Sequence, residues 1–309
     1  MLGAGAMGGL WAARLWQLAQ KTPAHWDATP VHLLLRDGNS LQRWQQAGGL
    51  RLRDKDTDLC LPVPAAVAGN DQEAIALLLV CTKAQDTLAA LEGVRKRLQP
   101  GARIVLLQNG VRVQDEVWQR YPDQQVYCLS TSHGAYMCAP FHVVHAGHGE
   151  AWIGTLADAP ADHTLLSLLP GAEMNLHWDA AIRRRLWDKF AVNCAINALT
   201  VIHDCRNGEL LANPQAHTEL LALCDEIQSL LQSLPQAPEP GDVYSRVHAV
   251  LLATANNLSS TLQDFRAGRA TEMPYLNANL RDLAHQAALA CPRNDDVLRR
   301  FNARVQARG

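Results

Sequence analysis

The chain opens with Met1-Leu2-Gly3-Ala4-Gly5-Ala6-Met7-Gly8, and this stretch decides the fold. Glycines spaced GxGxxG allow a tight turn, a close approach of the backbone to a pyrophosphate, and close packing of a helix on a strand. The residues that follow fit such a helix, with Leu10, Ala13 and Leu18 on or near one face. The stretch therefore predicts the first turn of a dinucleotide-binding α/β domain, with an anion at the helix N-terminus.

The strand before these glycines is unusually short. Only Met1 and Leu2 precede Gly3, whereas a central strand normally has about five residues. Either this first strand is shortened or the chain as given starts downstream of its natural start, and the sequence leaves both possibilities open.

Apolar runs further along the chain predict the other strands of a parallel sheet. Residues 31–35, 74–81, 104–107 and 126–129 are apolar almost throughout, as expected for strands covered on both faces. Lys83 and Asn109 follow two of these strands closely, where the carboxyl ends of parallel strands form a ligand crevice. A hairpin is expected around residues 145–149, leading into 152–154.

Arg36 follows the strand at 31–35, the position that meets the adenosine ribose in a dinucleotide fold. An arginine there suits the 2′-phosphate of NADP, whereas an acidic residue suits NAD. The neighbouring Asp37 keeps NAD as the less favoured alternative, and a surface arginine without a ligand is the third possibility. Residues 21–30 are predicted to form a polar loop that lengthens the path from the glycines to Arg36.

Composition describes an ordinary globular protein of two domains. The 309 residues are 48% apolar and 19% charged, with a net charge of -2, so neither nucleic acid nor a membrane is expected as a partner. Eight scattered cysteines without CxxC spacing indicate thiols in a reducing compartment, here the cytoplasm. His133, His145 and His148 lack metal-ligand spacing, so we expect strand or turn histidines and no metal. Monomer and homodimer both remain open.

Beyond about residue 180 the strand pattern stops and helical periodicity takes over. The predicted domains are therefore residues 1–180, for nucleotide binding, and 181–309, all helical. Besides a central helix at 187–200, helices are predicted at 214–234, 242–257, 260–266, 275–290 and 295–305.

The central helix carries a polar stripe on an otherwise apolar sequence. Lys189, Asn193 and Asn197 recur every fourth residue, so they lie above one another on one face. A solvent-facing side of an amphipathic helix would give the same pattern. Behind a nucleotide-binding domain, however, a desolvated lysine can deliver a proton near neutral pH.

Several motifs in the same order resemble the ketopantoate reductase family. They cover nearly the whole chain and comprise the Gly3/Gly5/Gly8 loop with Ala6-Met7, Thr82-Lys83-Ala84, Gln108-Asn109-Gly110, His133-Gly134-Ala135 with Ala146-Gly147, the Lys189/Asn193/Asn197 stripe, Asn207-Gly208-Glu209-Leu210, residues 257–264, Thr271-Glu272, and Pro292-Arg293-Asn294.

The resemblance implies a Rossmann-type domain followed by a helical domain, and reduction of 2-dehydropantoate to D-pantoate with NADPH, on the way to pantothenate and coenzyme A. It implies that Lys189 is the catalytic acid and Glu272 the second essential group. The implied substrate-binding residues are Asn109, Asn193, Asn197, Asn207, Asn257 and Ser260. The implied cofactor-binding residues are Gly3, Gly5, Ala6, Met7, Gly8, Arg36, Lys83, Asn109 and Glu272.

Two effects on the Lys189 ammonium oppose each other. Burial should lower its pKa, whereas a nearby carboxylate should raise it. We therefore expect Glu272 to lie beyond salt-bridge distance in an open state and to bind a substrate hydroxyl once the domains close and exclude water. Two alternatives share much of the pattern: a reductase of another 2-keto or 3-keto acid, and a non-catalytic NADPH-binding sensor or scaffold.

Overall fold

The structure, a computed structural model, describes residues 1–22, 31–70, 73–157 and 159–308. Most of the predicted polar loop at 21–30 lies outside these residues. The chain forms two compact units. One comprises Met1–Gln108 with Val113–Ile182, and the other comprises Asn109–Arg112 with Arg183–Gly309.

The first unit is built on a largely parallel sheet with the strand order expected of a dinucleotide-binding fold. Strands β5, β6 and β7 run parallel, β10 is antiparallel to β7, β11 is parallel to β10, and β1 pairs with β4 in parallel. These strands are β1 (Leu33–Leu35), β4 (Ala65–Val67), β5 (Ile75–Val80), β6 (Leu98–Leu106), β7 (Gln125–Thr131), β10 (Ala151–Thr155) and β11 (Leu176–Trp178).

A single residue, Leu2, joins β1 to β5. Leu2 forms parallel bridges to Leu34 on one side and to Val80 on the other. Its N–H donates to the Leu79 carbonyl and its carbonyl accepts from the Cys81 N–H, both at 2.8 Å. Leu2 therefore fills the central position of the sheet and places Gly3 at the end of it.

A second sheet of four strands was not predicted from the sequence. Its order is β3-β2-β9-β8, with β2 and β9 parallel and the outer pairs antiparallel. These strands are β2 (Leu50–Asp54), β3 (Thr57–Leu61), β8 (Gly134–Ala139) and β9 (His142–Gly147).

The prediction of a hairpin around residues 145–149 is wrong. The tight reversal lies at Pro140 and Phe141, between β8 and β9, and Phe141 takes the left-handed conformation at φ 56°. After β9 the chain leaves the second sheet and enters β10 in the first. Gly149 serves a close contact, since a Cβ there would lie 2.8 Å from the Ser132 carbonyl oxygen.

Helix α1 (Ala6–Lys21) packs in the core shared by the two sheets. Residues 8–13 are all buried, so this part of the helix has no solvent face. It contacts β2, β8 and β9, and its side chains share one apolar core with Leu33 and Val105 of the first sheet. The other helices of this unit are α2 (Gly38–Ala47), α3 (Ala84–Val94), α4 (Arg112–Arg120), whose first residue groups with the other unit, and α5 (His163–Ser167).

A buried polar chain ties α1 to the second sheet. Arg14 donates to Asp54 and to His145 Nδ1, the latter at 3.2 Å. His145 Nε2 lies 3.0 Å from His133 Nδ1, and His133 Nε2 lies 2.9 Å from the Met174 carbonyl. Since a carbonyl only accepts, the proton of His133 sits on Nε2, and His145 must donate from its own Nε2.

The fold brings His145 and His148 to the Asp54 carboxylate, which lies far from them in the sequence. His145 lies in β9, as a strand histidine, and His148 Nε2 lies 2.9 Å from Asp54 Oδ1. Burial, helped by the neighbouring charge of His148, lowers the pKa of His145 to about 4, although the Asp54 carboxylate acts in the opposite direction. The ring is therefore neutral at pH 7, and the cation bound by Asp54 and His145 is the Arg14 guanidinium.

The second unit consists of helices, as the sequence pattern predicted. Within the described ranges, no helix has the length together with the apolar composition that a bilayer crossing requires. The helices are α6 (Ile182–His203), α7 (Glu209–Ala212), α8 (Pro214–Ser233), α9 (Val243–Ala253), α10 (Ser260–Arg266), α11 (Asn277–Gln286) and α12 (Pro292–Gln306), with a 3-10 turn at Met273–Tyr275.

Two buried asparagines link three of these helices. Asn277 Nδ2 donates to the Cys194 carbonyl on α6 and to Asn294 Oδ1, both at 2.9 Å. Asn294 Nδ2 returns a hydrogen bond to the Asn277 carbonyl at 2.9 Å. The Glu226 carboxylate accepts from the Asn294 N–H at 2.7 Å, at the start of α12. The Asn294 motif therefore has a structural use, to anchor α11 and α12 to α6.

Asp162 connects strands β6 and β7 to helix α5. Its carboxylate accepts from Arg103 Nε and the Tyr127 hydroxyl, each at 2.7 Å, and from the Leu165 N–H at 2.8 Å, as the N-cap of α5. Burial alone would raise the pKa of Asp162, but these hydrogen bonds outweigh it and lower the pKa from 3.8 to about 2.

Replacing Asp162 should destabilise the protein in a pH-dependent way. Because the folded pKa is depressed, the carboxylate stabilises the fold fully above its unfolded pKa, and this contribution disappears as the pH falls toward 2. We expect Asp162→Asn to lower the free energy of unfolding by about 1 to 2 kcal/mol at pH 7, after allowance for solvent screening. Urea unfolding of the variant and the wild type at pH 7 and at lower pH measures this change in the free energy of unfolding.

Asp56→Asn, at an exposed turn position, is the matched control and should change the free energy of unfolding by less than about 0.5 kcal/mol. If the free energy of unfolding of Asp162→Asn lies below that of the wild type by the same amount at pH 7 and at pH 3, the stabilising role of the ionised carboxylate is contradicted.

Candidate active site

The glycine loop has the shape that the sequence motif requires. Gly3 adopts φ +96°, and a Cβ there would lie 2.7 Å from the Thr82 N atom. A Cβ on Gly8 would lie 1.9 Å from the Gly3 carbonyl oxygen. Gly5 is exposed, and a Cβ on it would meet nothing within 4 Å. Two glycines are thus required by backbone contacts, and the third faces open space.

The open side of this loop is suited to a phosphate group. Gly5 is the N-cap of α1, and glycine has no side chain that could cap the first N–H groups of the helix. No acidic residue lies in the first turn, which contains Ala6, Met7 and Gly8. A helix N-terminus presents N–H groups and a partial positive charge to an anion. The loop therefore fits a dinucleotide pyrophosphate.

Arg36 and Asp37 differ in how they are used at the end of β1. Asp37 caps helix α2, because its Oδ1 accepts from the Ser40 N–H at 2.8 Å. Its Oδ2 accepts from Arg36 Nε at 3.2 Å. The Arg36 side chain is 83% exposed. The aspartate thus serves the local fold, which leaves the arginine as the group oriented to solvent.

Lys83 lies where the sequence predicted, just after β5 and as the N-cap residue of α3. The Thr87 hydroxyl donates to the Lys83 carbonyl at 3.0 Å and holds this corner in place. Gln108 lies beyond the end of β6, and its amide donates to the Val80 carbonyl at 2.8 Å. The ends of β5 and β6 are therefore fixed to each other by side-chain contacts.

Asn109 and Glu272 meet in the helical unit, to which residues Asn109–Arg112 belong. Asn109 Nδ2 donates to Glu272 Oε2 at 3.0 Å. Gly110 adopts φ +92°, and a Cβ there would lie 2.8 Å from the Tyr275 carbonyl oxygen. Only glycine allows this close approach, which sets Asn109 beside the carboxylate.

The electrostatics of Lys189 combine the two opposing effects expected from the sequence. Lys189 is partly buried on α6, and burial lowers the pKa of its ammonium below 10.5, whereas the charge of Glu272 raises it. Burial is the larger effect. Lys189, Glu272 and Asn109 thus form one polar cluster in the helical unit. That Lys189 and Glu272 lie beyond salt-bridge distance before ligands bind stays a prediction.

The polar stripe of α6 is not a solvent face. Asn193 is half-buried and Asn197 is buried with 5% exposure. Ser260, the first residue of α10, and Asn257 are exposed. The stripe therefore runs from the partly buried ammonium of Lys189 into the helical unit.

Asn207 has a use in the fold besides its predicted role in substrate binding. It is buried, and its Nδ2 donates to the Thr254 hydroxyl at 2.9 Å. Its N–H donates to the Asn257 carbonyl at 3.0 Å. Asn207 thus braces the turn that carries Asn257.

Two contacts near these residues were missed in the sequence. One is the hydrogen bond between Asn109 and Glu272, which are 163 positions apart. The other joins Thr200 on α6 to Ser259, whose hydroxyls lie 2.7 Å apart. A signal for the second was present, because Ser259 precedes a predicted helix and Thr200 lies one turn after Asn197 on the polar stripe.

Comparison with protein families gives two matches along the chain. Residues 1–158 match the family model described as Ketopantoate reductase PanE/ApbA. Residues 181–305 match the model of the C-terminal domain of the same family.

Individual proteins agree with these matches. A 2-dehydropantoate 2-reductase of Shigella flexneri is 30% identical over 302 residues, covering 95% of this chain and 90% of that relative. A ketopantoate reductase from Ralstonia eutropha JMP134 superposes with a TM-score of 0.85 at 25% identity, over 99% of both chains. D-mandelate dehydrogenase in complex with NADH and anilino(oxo)acetate has the same fold, with a TM-score of 0.85 at 20% identity over 99% of both chains.

Alanine substitutions in the glycine loop should separate stability from nucleotide binding. Gly8→Ala places a methyl group against the Gly3 carbonyl, so the free energy of unfolding should fall by about 2 kcal/mol. Gly5→Ala adds a methyl group in open space, so stability should hold within about 0.5 kcal/mol while nucleotide affinity falls. Denaturant unfolding and nucleotide titration of both variants measure these effects.

The loop assignment fails if Gly5→Ala binds the nucleotide as tightly as the wild-type protein does. Equal unfolding free energies for Gly8→Ala and the wild type would contradict the contact with Gly3.

Proposed function

The chain belongs to the ketopantoate reductase family, and we propose that it reduces the ketone of 2-dehydropantoate to the hydroxyl of D-pantoate with NADPH, using Lys189 as the proton donor. It is an oxidoreductase acting on a small keto acid, as its 2-dehydropantoate 2-reductase relatives are. The observation that carries the proposal for Lys189 is its position, partly buried on α6 in one polar cluster with Glu272 and Asn109.

The chemistry needs a proton donor at the carbonyl oxygen. Bound NADPH would supply a hydride to the ketone carbon, and the carbonyl electron pair would then move to oxygen. The Lys189 ammonium stabilises that negative charge and transfers one proton to it, which leaves a hydroxyl and a neutral amine. Solvent then returns a proton to the amine, so charge and atoms balance. Because burial lowers the pKa of Lys189, the proton transfer costs less than it would from an exposed lysine.

Glu272 and the asparagines have complementary roles in this proposal. Asn109 holds the Glu272 carboxylate by a hydrogen bond of 3.0 Å, which keeps it in place to accept from a substrate hydroxyl. Asn193, Asn197, Asn257 and Ser260 supply the neutral donors and acceptors that a hydroxylated keto acid needs. The carboxylate also keeps the neighbouring ammonium charged before reaction.

The choice of NADPH rests on Arg36. Its exposed guanidinium follows β1, the strand whose end meets the adenosine ribose in this type of fold, and a 2′-phosphate is the anion it would bind. Asp37 is committed to capping α2, which disfavours its use as an acceptor for the ribose hydroxyls of NADH. Lys83 adds a second cation at a strand end. Action in the cytoplasm, as a monomer or a homodimer, completes the proposal.

The comparisons favour ketopantoate as substrate over the two alternatives. The relatives that match over most of the chain are named 2-dehydropantoate 2-reductases. The likeness to D-mandelate dehydrogenase, at 20% identity, is one of fold.

Lys189 variants should separate proton transfer from charge. Lys189→Ala should lower kcat at least about 100-fold, because general acid catalysis contributes on the order of 10²–10⁴. Lys189→Arg retains a positive charge but cannot release its proton near neutral pH, so it should remain nearly as slow. NADPH absorbance with 2-dehydropantoate measures turnover, and nucleotide titration checks that NADPH still binds.

Lys96→Ala, at an exposed lysine, is the control and should turn over like the wild type. The wild-type rate should fall as the pH rises through the lowered pKa of Lys189, because the neutral amine has no proton to give. Wild-type turnover in Lys189→Ala would remove the lysine from the mechanism.

Arg36→Ala should shift the cofactor preference. Loss of one charged contact to a 2′-phosphate should raise the KM for NADPH about 10- to 100-fold and leave the KM for NADH nearly unchanged. Steady-state kinetics with both nucleotides measure the ratio. Arg95→Ala, a control at another partly exposed arginine that contacts Glu92, should leave both KM values unchanged. A wild-type protein that prefers NADH would contradict the role of Arg36.

A further inference from the structure

Two buried hydroxyl groups form a directed hydrogen-bond chain between α10 and α6. Ser259 is the N-cap of α10, and its Oγ accepts from the Leu262 N–H at 3.0 Å. The same Oγ lies 2.7 Å from the Oγ1 of Thr200 on α6. Thr200 Oγ1 in turn donates to the Asn197 carbonyl at 2.8 Å.

The protons of this chain can be assigned. A hydroxyl has one hydrogen, and the hydrogen of Thr200 is used on the Asn197 carbonyl, which only accepts. Ser259 must therefore donate its own hydrogen to Thr200. The order runs from the Leu262 N–H through Ser259 and Thr200 to Asn197, so each link polarises the next.

Burial makes this chain costly to break. Thr200 has no exposed surface and Ser259 is 6% exposed, so neither hydroxyl can exchange its partner for water. A buried hydroxyl left without a partner costs more than the hydrogen bond it had formed. The distance between the start of α10 and this turn of α6 is therefore tightly held.

The two ends of the chain carry predicted substrate-binding residues. Ser260 directly follows Ser259 and is exposed, whereas its neighbour is buried. Asn197 lies one turn before Thr200 and belongs to the stripe that begins at Lys189. Ser259 and Thr200 each use their one hydrogen within the chain and are buried, so neither hydroxyl can donate to a ligand.

We propose that Ser259 and Thr200 are positioning residues for the ketopantoate reductase reaction, whose hydroxyl pair holds Ser260 and Asn197 at the spacing that the keto acid requires. This inference rests on the function proposed above. Loss of the hydroxyl pair should therefore weaken binding of the keto acid more than a loss of stability alone would explain. Nucleotide binding should not change.

Thr200→Val tests this directly, because valine keeps the branched shape while removing the hydroxyl, and Ser259 remains as the cap of α10. The KM for 2-dehydropantoate should rise about five- to twentyfold, with the KM for NADPH unchanged. Thr200→Ser, which keeps the hydroxyl, should restore the KM to within about twofold of the wild type.

A capping variant elsewhere provides the control for a purely structural effect. Asp242 caps α9, where its carboxylate accepts from the Ser245 N–H at 2.9 Å. Asp242→Ala should lower the melting temperature, as lost caps do, without changing the KM for 2-dehydropantoate. A melting temperature lowered equally in Thr200→Val, with an unchanged KM, would overturn the positioning role.

The same assay separates this inference from the function on which it rests. If the wild-type protein does not oxidise NADPH with 2-dehydropantoate, the proposed function fails and the positioning role fails with it. If the wild type is active and Thr200→Val has the wild-type KM, only the positioning role is overturned. A raised KM that Thr200→Ser restores supports both.

Discussion

The chemistry proposed for this protein depends on the balance of forces on one partly buried ammonium. Removing Lys189 from water favours its neutral form, and the Glu272 carboxylate favours its charged form. Neither effect alone gives a useful acid, since full burial would discharge the lysine and a strong ion pair would hold the proton. The helical unit therefore needs a carboxylate whose place is fixed, and the Asn109 amide beside Gly110 provides that restraint.

Much of this could be predicted from sequence because it follows from local patterns. The glycine spacing, the continuous apolar strands and the recurrence of a polar residue at every fourth position from Lys189 to Asn197 each report a geometry set by neighbouring residues. The starts of α8 and α10 also agreed with the prediction, since Pro214 and Ser259 are typical helix-start residues. Family resemblance supplied the roles proposed for individual residues.

The rest depends on contacts between distant parts of the chain. Strand β2 alternates leucine with charged residues, and β3 is almost entirely exposed, so neither strand carries a strong apolar signal. The glycines near residue 148 resemble a turn, but Gly149 serves a close approach to Ser132. The asparagine pair between α11 and α12 and the hydroxyl pair between α6 and α10 likewise join residues 17 and 59 positions apart. Local patterns place Ser259 at a helix start and Thr200 on the polar stripe, but no spacing rule pairs residues this far apart.

The contrast between the glycine loop and Arg36 has an evolutionary consequence. Beyond the exposed Gly5, the helix that follows the glycine loop is buried between two sheets at residues 8–13, so mutations at these positions disturb the core. The residue that would choose between nucleotides projects into solvent with 83% of its side chain exposed, where replacement is nearly free of folding cost. During evolution, proteins with this architecture can therefore change their preference between NADPH and NADH by substitution at this exposed position. The buried part of the glycine loop and helix α1 would be retained.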